Sequence, residues 1–184
     1  MTVSNKIVII GAMSANRVIG AGGELPWHYP KDLERFQLLT RGNPVIFGRK
    51  THENIVAKHG STLPDRTHIV LTSTPNADQF GDDVITASSI DRAIAAGQQV
   101  CQTTTQGSAI YIAGGESVYE QTIDLADQIE LTEIHSAYDG DAYFPELGDS
   151  WVETYRETHD DMDFVSLHNP DQPSAEDDTP SLRV

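Results

Sequence analysis

Leu25-Pro26-Trp27-His28-Tyr29-Pro30-Lys31-Asp32-Leu33-Glu34-Arg35-Phe36 is the stretch from which the rest of this chain can be read. Pro26 and Pro30 keep the incoming segment extended, because proline disfavours helix at the residue before it, and Pro30 then suits a helix's first turn. A helix should begin near Lys31 and run to Thr40. Leu33, Phe36 and Leu39 recur at roughly helical spacing and give it an apolar face, with Asp32 about one residue from that face. Asp32 then has two readings. It is either an acid favoured by the positive end of the helix dipole or a carboxylate aimed at an apolar wall.

Upstream, Lys6 to Met13 is a nearly continuous apolar run with β-branched residues, fit for a central strand buried on both faces of a mainly parallel sheet. Ser14 to Tyr29 holds Gly20, Gly22 and Gly23, shows little periodicity, and reads as a long loop of the kind that is usually functional. Downstream, strands are expected at Pro44–Phe47, His68–Thr72, Ala109–Ile112 and Gln128–Ile134. Helices are expected from just after Gly48 to about Ala57, from a Ser88 or Ser89 cap through Ala96, and from Glu116 to about Leu125. Lys58 to Ser61 reads as loop and Gly114-Gly115 as a tight turn. Trp151–His159 and Met162–Leu167 form a closing antiparallel pair. This βα alternation predicts the α/β class: one domain over residues 1–168, with a mostly parallel, twisted sheet flanked by helices on both faces. Asn169 to Val184, with three prolines and four acids, is expected to be a mobile tail.

The 184 residues fit one domain with a real core. Ile7-Val8-Ile9-Ile10 is too short for a membrane span or a signal segment, so a cytoplasmic protein is expected. Cys101 stands alone, which rules out an intrachain disulfide and predicts a reduced, inert thiol. The seven histidines show no metal-ligand spacing and no G-x-S-x-G occurs, so neither a metal nor a covalent nucleophile is expected.

Charge is the unusual feature: 28 acids against 12 bases, a net of −16. Residues 1–75 carry nine bases and five acids, residues 76–184 three bases and 23 acids, so a +4 half faces a −20 half. Such a surface serves either a protein adapted to concentrated salt, which screens self-repulsion, or one that binds a basic partner. The basic half favours the first, since an enzyme that binds an anionic ligand keeps positive charge where the ligand sits.

The order Pro26-Trp27, a short spacer, Pro30-x-Asp32-x-x-x-Phe36 and then Thr40 resembles the substrate-binding segment of the dihydrofolate reductase family. Met13-Ser14-Ala15-Asn16-Arg17-Val18-Ile19-Gly20 before it and Pro44-Val45-Ile46-Phe47-Gly48-Arg49-Lys50-Thr51 after it resemble that family in the same order. The likeness runs from about Lys6 to Leu167. It implies an eight-stranded sheet with the last strand antiparallel. It also implies a monomeric oxidoreductase, without nucleic-acid or membrane partners, that uses NADPH to reduce 7,8-dihydrofolate to tetrahydrofolate for one-carbon metabolism and thymidylate synthesis.

The resemblance also implies roles. Asp32 grips the 2-amino-4-oxo ring through two parallel hydrogen bonds and favours protonation of the adjacent nitrogen, with the proton delivered by water. Thr132 hydrogen-bonds that carboxylate, and Trp27 lies beside the pterin near the water path. Ile10, Ala12, Leu33, Phe36, Ile55 and Leu63 form the apolar walls, although each would also pass for core. Arg66 takes the α-carboxylate of the glutamate tail, for which a guanidinium offers two parallel bonds. Gly48, Arg49, Lys50 and Thr51, with Thr72 and Ser73, hold the phosphates of NADPH, and two cations favour a 2′-phosphate over a bare hydroxyl. Asn54 positions that region.

Gly114 and Gly115 are joined in the family by a cis peptide, and Glu116, Ser117, Val118 and Tyr119 lead the helix that meets the cofactor, with Ala12 and Ile19 also on the cofactor side. The G-x-G-x-x-G spacing is absent. Ala113 departs from the larger aliphatic residue usual before the glycine pair, which changes the pocket floor. A reductase of a ribosylated pyrimidine shares this general fold but would not need Pro-Trp followed by Asp32 and Phe36. A non-enzymatic rival is an acidic interaction module.

Overall fold

The computed structural model describes residues 4–74, 80–104 and 107–172. Eight strands form one sheet: β1 (Lys6–Met13), β3 (Pro44–Gly48), β4 (Thr67–Leu71), β5 (Val84–Ala87), β6 (Ala109–Ile112), β7 (Gln128–Ile134), β9 (Val152–Thr158) and β10 (Met162–His168). Their order is β5-β4-β3-β6-β1-β7-β10-β9. All neighbouring pairs are parallel except those of β10, which runs antiparallel to both β7 and β9. The expected central position of the Lys6–Met13 strand holds, with β6 on one side and β7 on the other.

Four helices are α1 (Pro30–Thr40), α2 (Arg49–His59), α3 (Ile90–Thr103) and α4 (Glu116–Thr122). Alternation along the central strands divides the side chains between two faces. Ile9, Ile46, Ile110, Ile112, Ile129 and Leu131 share one buried cluster with Ile90, Ala93 and Cys101 of α3 and Val118 and Tyr119 of α4. Each fully buried aliphatic side chain there contributes about 1.5–3 kcal/mol. On the other face, Glu130 and Thr132 of β7 meet α1, and Phe47 of β3 meets His52 of α2.

Several boundaries differ from expectation. The 14–29 loop contains a short strand, β2 (Val18–Gly20), paired with β8 (Ala142–Tyr143) in a separate two-stranded sheet. The α2 helix continues through His59 and ends where Gly60 takes the left-handed conformation at φ 78°. Ser89 caps α3 as expected, accepting from the Arg92 N–H, but the helix passes Ala96 and runs to Thr103. Gly97 does not stop it, because the missing side chain lets α3 press onto Ile110, 3.0 Å from where a Cβ would stand. The α4 helix is shorter than expected and ends at Thr122. The strand β5 carried no expectation; its four residues, Val84–Ala87, give too short a run for periodicity to declare.

Asn169 is buried and its backbone and side-chain N–H groups donate to Asp127 O and Ala126 O, while Gln172 Nε2 donates to Asp124 O. Asn169 to Gln172 are therefore attached to the body rather than part of a tail. The rest of the expected tail, from residue 173, lies outside the described residues.

Candidate active site

Tyr29, the residue before Pro30, is extended at φ −121° and ψ 99° and makes no side-chain cap on α1. Asp32 in the first turn does not cap the helix either. It reaches across to the sheet, where Thr132 Oγ1 donates to Asp32 Oδ1 at 2.6 Å. Burial raises the Asp32 pKa above the usual carboxylate value, opposed by the Thr132 bond and by the positive charge of Arg35. An acid that served only the helix dipole would stay in solvent and keep its ordinary range.

Asp32 lines a depression together with Leu25, Trp27, His28, Tyr29, Leu33 and Lys58. Of the expected wall residues only Leu33, 37% exposed, lines it; Ile10 is buried, and Ala12, Phe36, Ile55 and Leu63 are half-buried. A leucine left facing water beside a half-buried carboxylate marks an apolar wall with no protein partner. Trp27 is buried against Tyr138, ring centroids 5.2 Å apart, and its indole Nε1–H has no hydrogen-bond partner among the described residues. Such a donor is satisfied by water or ligand.

Arg66 is fixed at the far end of α1. Its Nε donates to Thr40 Oγ1 at 2.7 Å, one terminal nitrogen to Gln37 O at 3.0 Å and the other to Pro64 O. The guanidinium is thus oriented before any ligand arrives. The Leu63 N–H donates to His68 Nε2 at 3.0 Å, which pins the loop that carries Leu63 and Arg66.

The second group of expected residues gathers at the carboxyl ends of β3 and β6, the side of a parallel sheet where ligands bind. The Gly48 N–H donates to Gly114 O at 2.7 Å, so the two strand ends are locked side by side. The Gly114–Gly115 peptide is cis. A Cβ on Gly48 would lie 3.2 Å from Val118 and 3.7 Å from Gly115 N, and one on Gly115 would lie 3.3 Å from Thr51 Oγ1. Bare backbone therefore fills this corner. Arg49 and Lys50 stand exposed at the start of α2, with Arg49 Nη1 3.2 Å from Glu53 Oε1. Ser73 is exposed, whereas Thr72 is buried and its hydroxyl accepts from the Thr74 N–H. Glu116 Oε1 accepts from the Tyr143 N–H and Ser117 is exposed. The Val118 and Tyr119 side chains are buried, and the Tyr119 hydroxyl donates to Ile10 O at 2.8 Å. Both belong to the main core cluster, and the Tyr119 hydroxyl lies 3.1 Å from where a Cβ on Gly114 would stand. Ala113 and Ile19 are half-buried, and Asn54 Nδ2 donates to Gly23 O, tying the long loop to α2.

The family model for dihydrofolate reductase matches residues 6–168. The chain belongs to the dihydrofolate reductase family. It is 39% identical over 173 residues to the dihydrofolate reductase HdrB of Haloferax volcanii, covering 94% of this chain and 87% of the relative. It is 33% identical over 175 residues to dihydrofolate reductase 1 of Haloarcula marismortui, covering 90% and 92%. Among solved structures, the dihydrofolate reductase from Enterococcus faecalis complexed with NADP(H) superposes with a TM-score of 0.76 at 30% identity, covering 91% of this chain and 98% of that one.

Three features of this reductase were not foreseen from its sequence. Arg35 pairs with Glu130 at 2.6 Å, with both side chains largely buried. The Tyr29 and Tyr138 hydroxyls meet at 3.1 Å beside Trp27, raising the Tyr29 pKa to about 12. His52 and His68 meet Nδ1 to Nδ1 at 3.1 Å. Arg35 alone had a legible signal, since it lies one helical turn after Asp32. The tyrosine and histidine pairs join segments distant in sequence, which no local pattern reports.

Proposed function

We propose that catalysis in this NADPH-dependent dihydrofolate reductase runs through Asp32. The 2.6 Å bond from Thr132 to a carboxylate half-buried in an apolar depression carries this reading. Thr132 occupies one lone pair of Oδ1 and fixes the carboxylate plane, leaving acceptor capacity for two parallel N–H donors of a 2-amino-4-oxo ring. Leu33, Phe36, Ile55 and Leu63 hold the apolar body of the substrate and Arg66 its α-carboxylate. When bound, NADPH supplies the hydride that reduces the C=N bond of dihydrofolate, which also takes up one proton. A negative charge in a water-poor site raises the basicity of the ring nitrogen, so the Asp32 carboxylate favours that proton uptake. The free Trp27 Nε1–H supplies a place for the water that delivers it.

The glycine corner of β3 and β6 fits the cofactor, because Gly48, Gly114 and Gly115 meet there as bare backbone with no side chain to hold a phosphate off. Gly48, Thr51, Gly114 and Gly115 hold it, with Arg49, Lys50 and Ser73 at the 2′-phosphate. The test is NADPH absorbance with dihydrofolate present. Replacing Arg49 and Lys50 by neutral residues should raise the KM for NADPH far more than that for NADH. Equal effects would remove both from the 2′-phosphate.

The charge distribution supports a salt-adapted enzyme, in line with relatives from halophilic archaea. Among the described residues no helix is long and apolar enough to cross a membrane.

A further inference from the structure

Helix α1 crosses β7 on two rungs. Asp32 and Arg35 are one helical turn apart on α1, and their partners Thr132 and Glu130 are two apart on β7, hence on one face of the sheet. The rungs share their surroundings. Thr132 pairs in register with Ala12 and Phe164, and the Arg35 guanidinium lies over the Phe164 ring, 4.8 Å from its centroid.

The second rung is fully satisfied. Glu130 Oε2 receives Arg35 Nη2 at 2.6 Å and Ser166 Oγ at 2.8 Å, and Oε1 receives Gln128 Nε2. The side chains of Arg35 and Glu130 are only 14% and 9% exposed. So elaborate an ion pair is not required for folding, since well-packed apolar residues of similar volume serve as well or better in such positions. It lies instead beside the carboxylate that must change its interactions during the reaction.

We propose that Arg35, held by Glu130, is a positioning residue for the reductase reaction: it fixes a positive charge behind Asp32 and thereby sets the pH range in which hydride transfer is fast. This rests on Asp32 as the substrate anchor. Arg35 favours the charged form of Asp32 against burial, while Glu130 keeps the guanidinium from swinging into the depression to seize the carboxylate.

The other ionisable groups on the elements packed around Asp32 have separate engagements. Lys31 of α1 donates to His159 Nδ1 at 2.8 Å. Glu133 of β7 and Asp163 of β10 are bound by Arg156 of β9. Tyr119 of α4 is bound to Ile10 O. Tyr111 of β6 is held neutral by burial, its pKa raised to about 12, and Tyr29 in the preceding loop is bonded to Tyr138. His28 and Lys58 of α2, which line the depression with Asp32, are present unchanged in every variant compared below.

Two readouts on the full chain test this: single-turnover hydride transfer at saturating NADPH across pH 5 to 9, and the carbon-13 titration of the Asp32 carboxyl, assigned by difference with Asp32→Asn. Arg35→Met should move both midpoints up by about one pH unit, the low end for loss of a neighbouring opposite charge. Glu130→Gln keeps one acceptor oxygen for Arg35 and Ser166, gives up the one that receives Gln128, and exposes Asp32 to an unneutralised Arg35, so both midpoints should fall. The double variant should lie between the two.

A purely structural pair would lower stability and leave the midpoints in place. Unmoved midpoints, or shifts of the same sign in both single variants, overturn the proposal. If Arg35→Met does not fold, Glu130→Gln decides alone, with a downward shift in support and any other result against. If the pH transition of the wild type persists in Asp32→Asn, the fault lies with Asp32 as anchor rather than with Arg35.

Discussion

Two arginines, each among carboxylates, sit on opposite sides of β10 and show how burial changes what an ion pair can do. Arg35 has one partner, Glu130, inside the fold. Arg156 on the edge strand β9 has three, Glu133, Glu153 and Asp163, at 2.8, 2.8 and 2.5 Å, and is a third exposed. Inside, screening is weak and a lost partner leaves a bare charge. At the edge, water and salt do much of the work, and the arginine mainly relieves crowding among acids that a chain of net −16 cannot avoid. The contrast follows the division of charge, since Arg35 belongs to the basic half of the sequence and Arg156 to the acidic half.

The comparison breaks most visibly at Glu130. Glu130→Leu removes the carboxylate that holds the buried Arg35, so it should cost about 3–5 kcal/mol in urea unfolding, a loss that added salt hardly relieves. A cost below about 1 kcal/mol would place Arg35 and Arg156 in one class.

The next effect is a buried pair without net charge. His68 Nε2 accepts the Leu63 N–H, so its Nδ1 carries the proton donated to His52. Burial and the proximity of His52 and Arg66 lower the His68 pKa to about 4 from 6.5, while in the unfolded chain it stays near 6.5. Its contribution is therefore complete above about pH 6.5 and is lost as pH falls toward 4, by up to about 3 kcal/mol. Stability measured from pH 8 to 4 should lose part of this slope in His68→Phe. An unchanged slope would move the titration elsewhere.

The smallest effect belongs to Arg156→Gln. Its three carboxylates then repel, so the unfolding midpoint should drop at tenth-molar salt and recover toward wild type at molar salt, as the Debye length shrinks from about 10 to 3 Å. A loss independent of salt would make Arg156 a second Arg35.

The sequence made legible those parts whose signals are local. The apolar run of β1, with Pro26 before α1 and Pro30 at its start, marked the central strand and the helix that carries Asp32. Gly60 and Gly97 show the limit: one ends α2 with a positive φ and the other lets α3 touch Ile110, and glycine looks the same in both. The short β2–β8 ladder was hidden because Val18–Gly20 finds its partner more than 120 residues later. In the site, Asp32 and Thr132 came through family resemblance, and the structure brings them together. The motif placed Tyr119 beside the glycine pair but could not tell that its ring is core and its hydroxyl bound to Ile10 O, because a motif reports position along the chain and not the direction of a side chain.

The central claim is that Asp32 is the substrate anchor, and Asp32→Asn tests it most directly. The amide cannot accept both ring hydrogen bonds or supply negative charge, so single-turnover hydride transfer at neutral pH should fall by two or more orders of magnitude, at least about 2.7 kcal/mol of transition-state stabilisation. Part of the rate should return toward pH 5, where solvent protonates the substrate without help. A folded Asp32→Asn protein that transfers hydride at near wild-type rates at neutral pH would contradict the account and leave Asp32 as a first-turn acid worth about 0.3–1 kcal/mol to its helix.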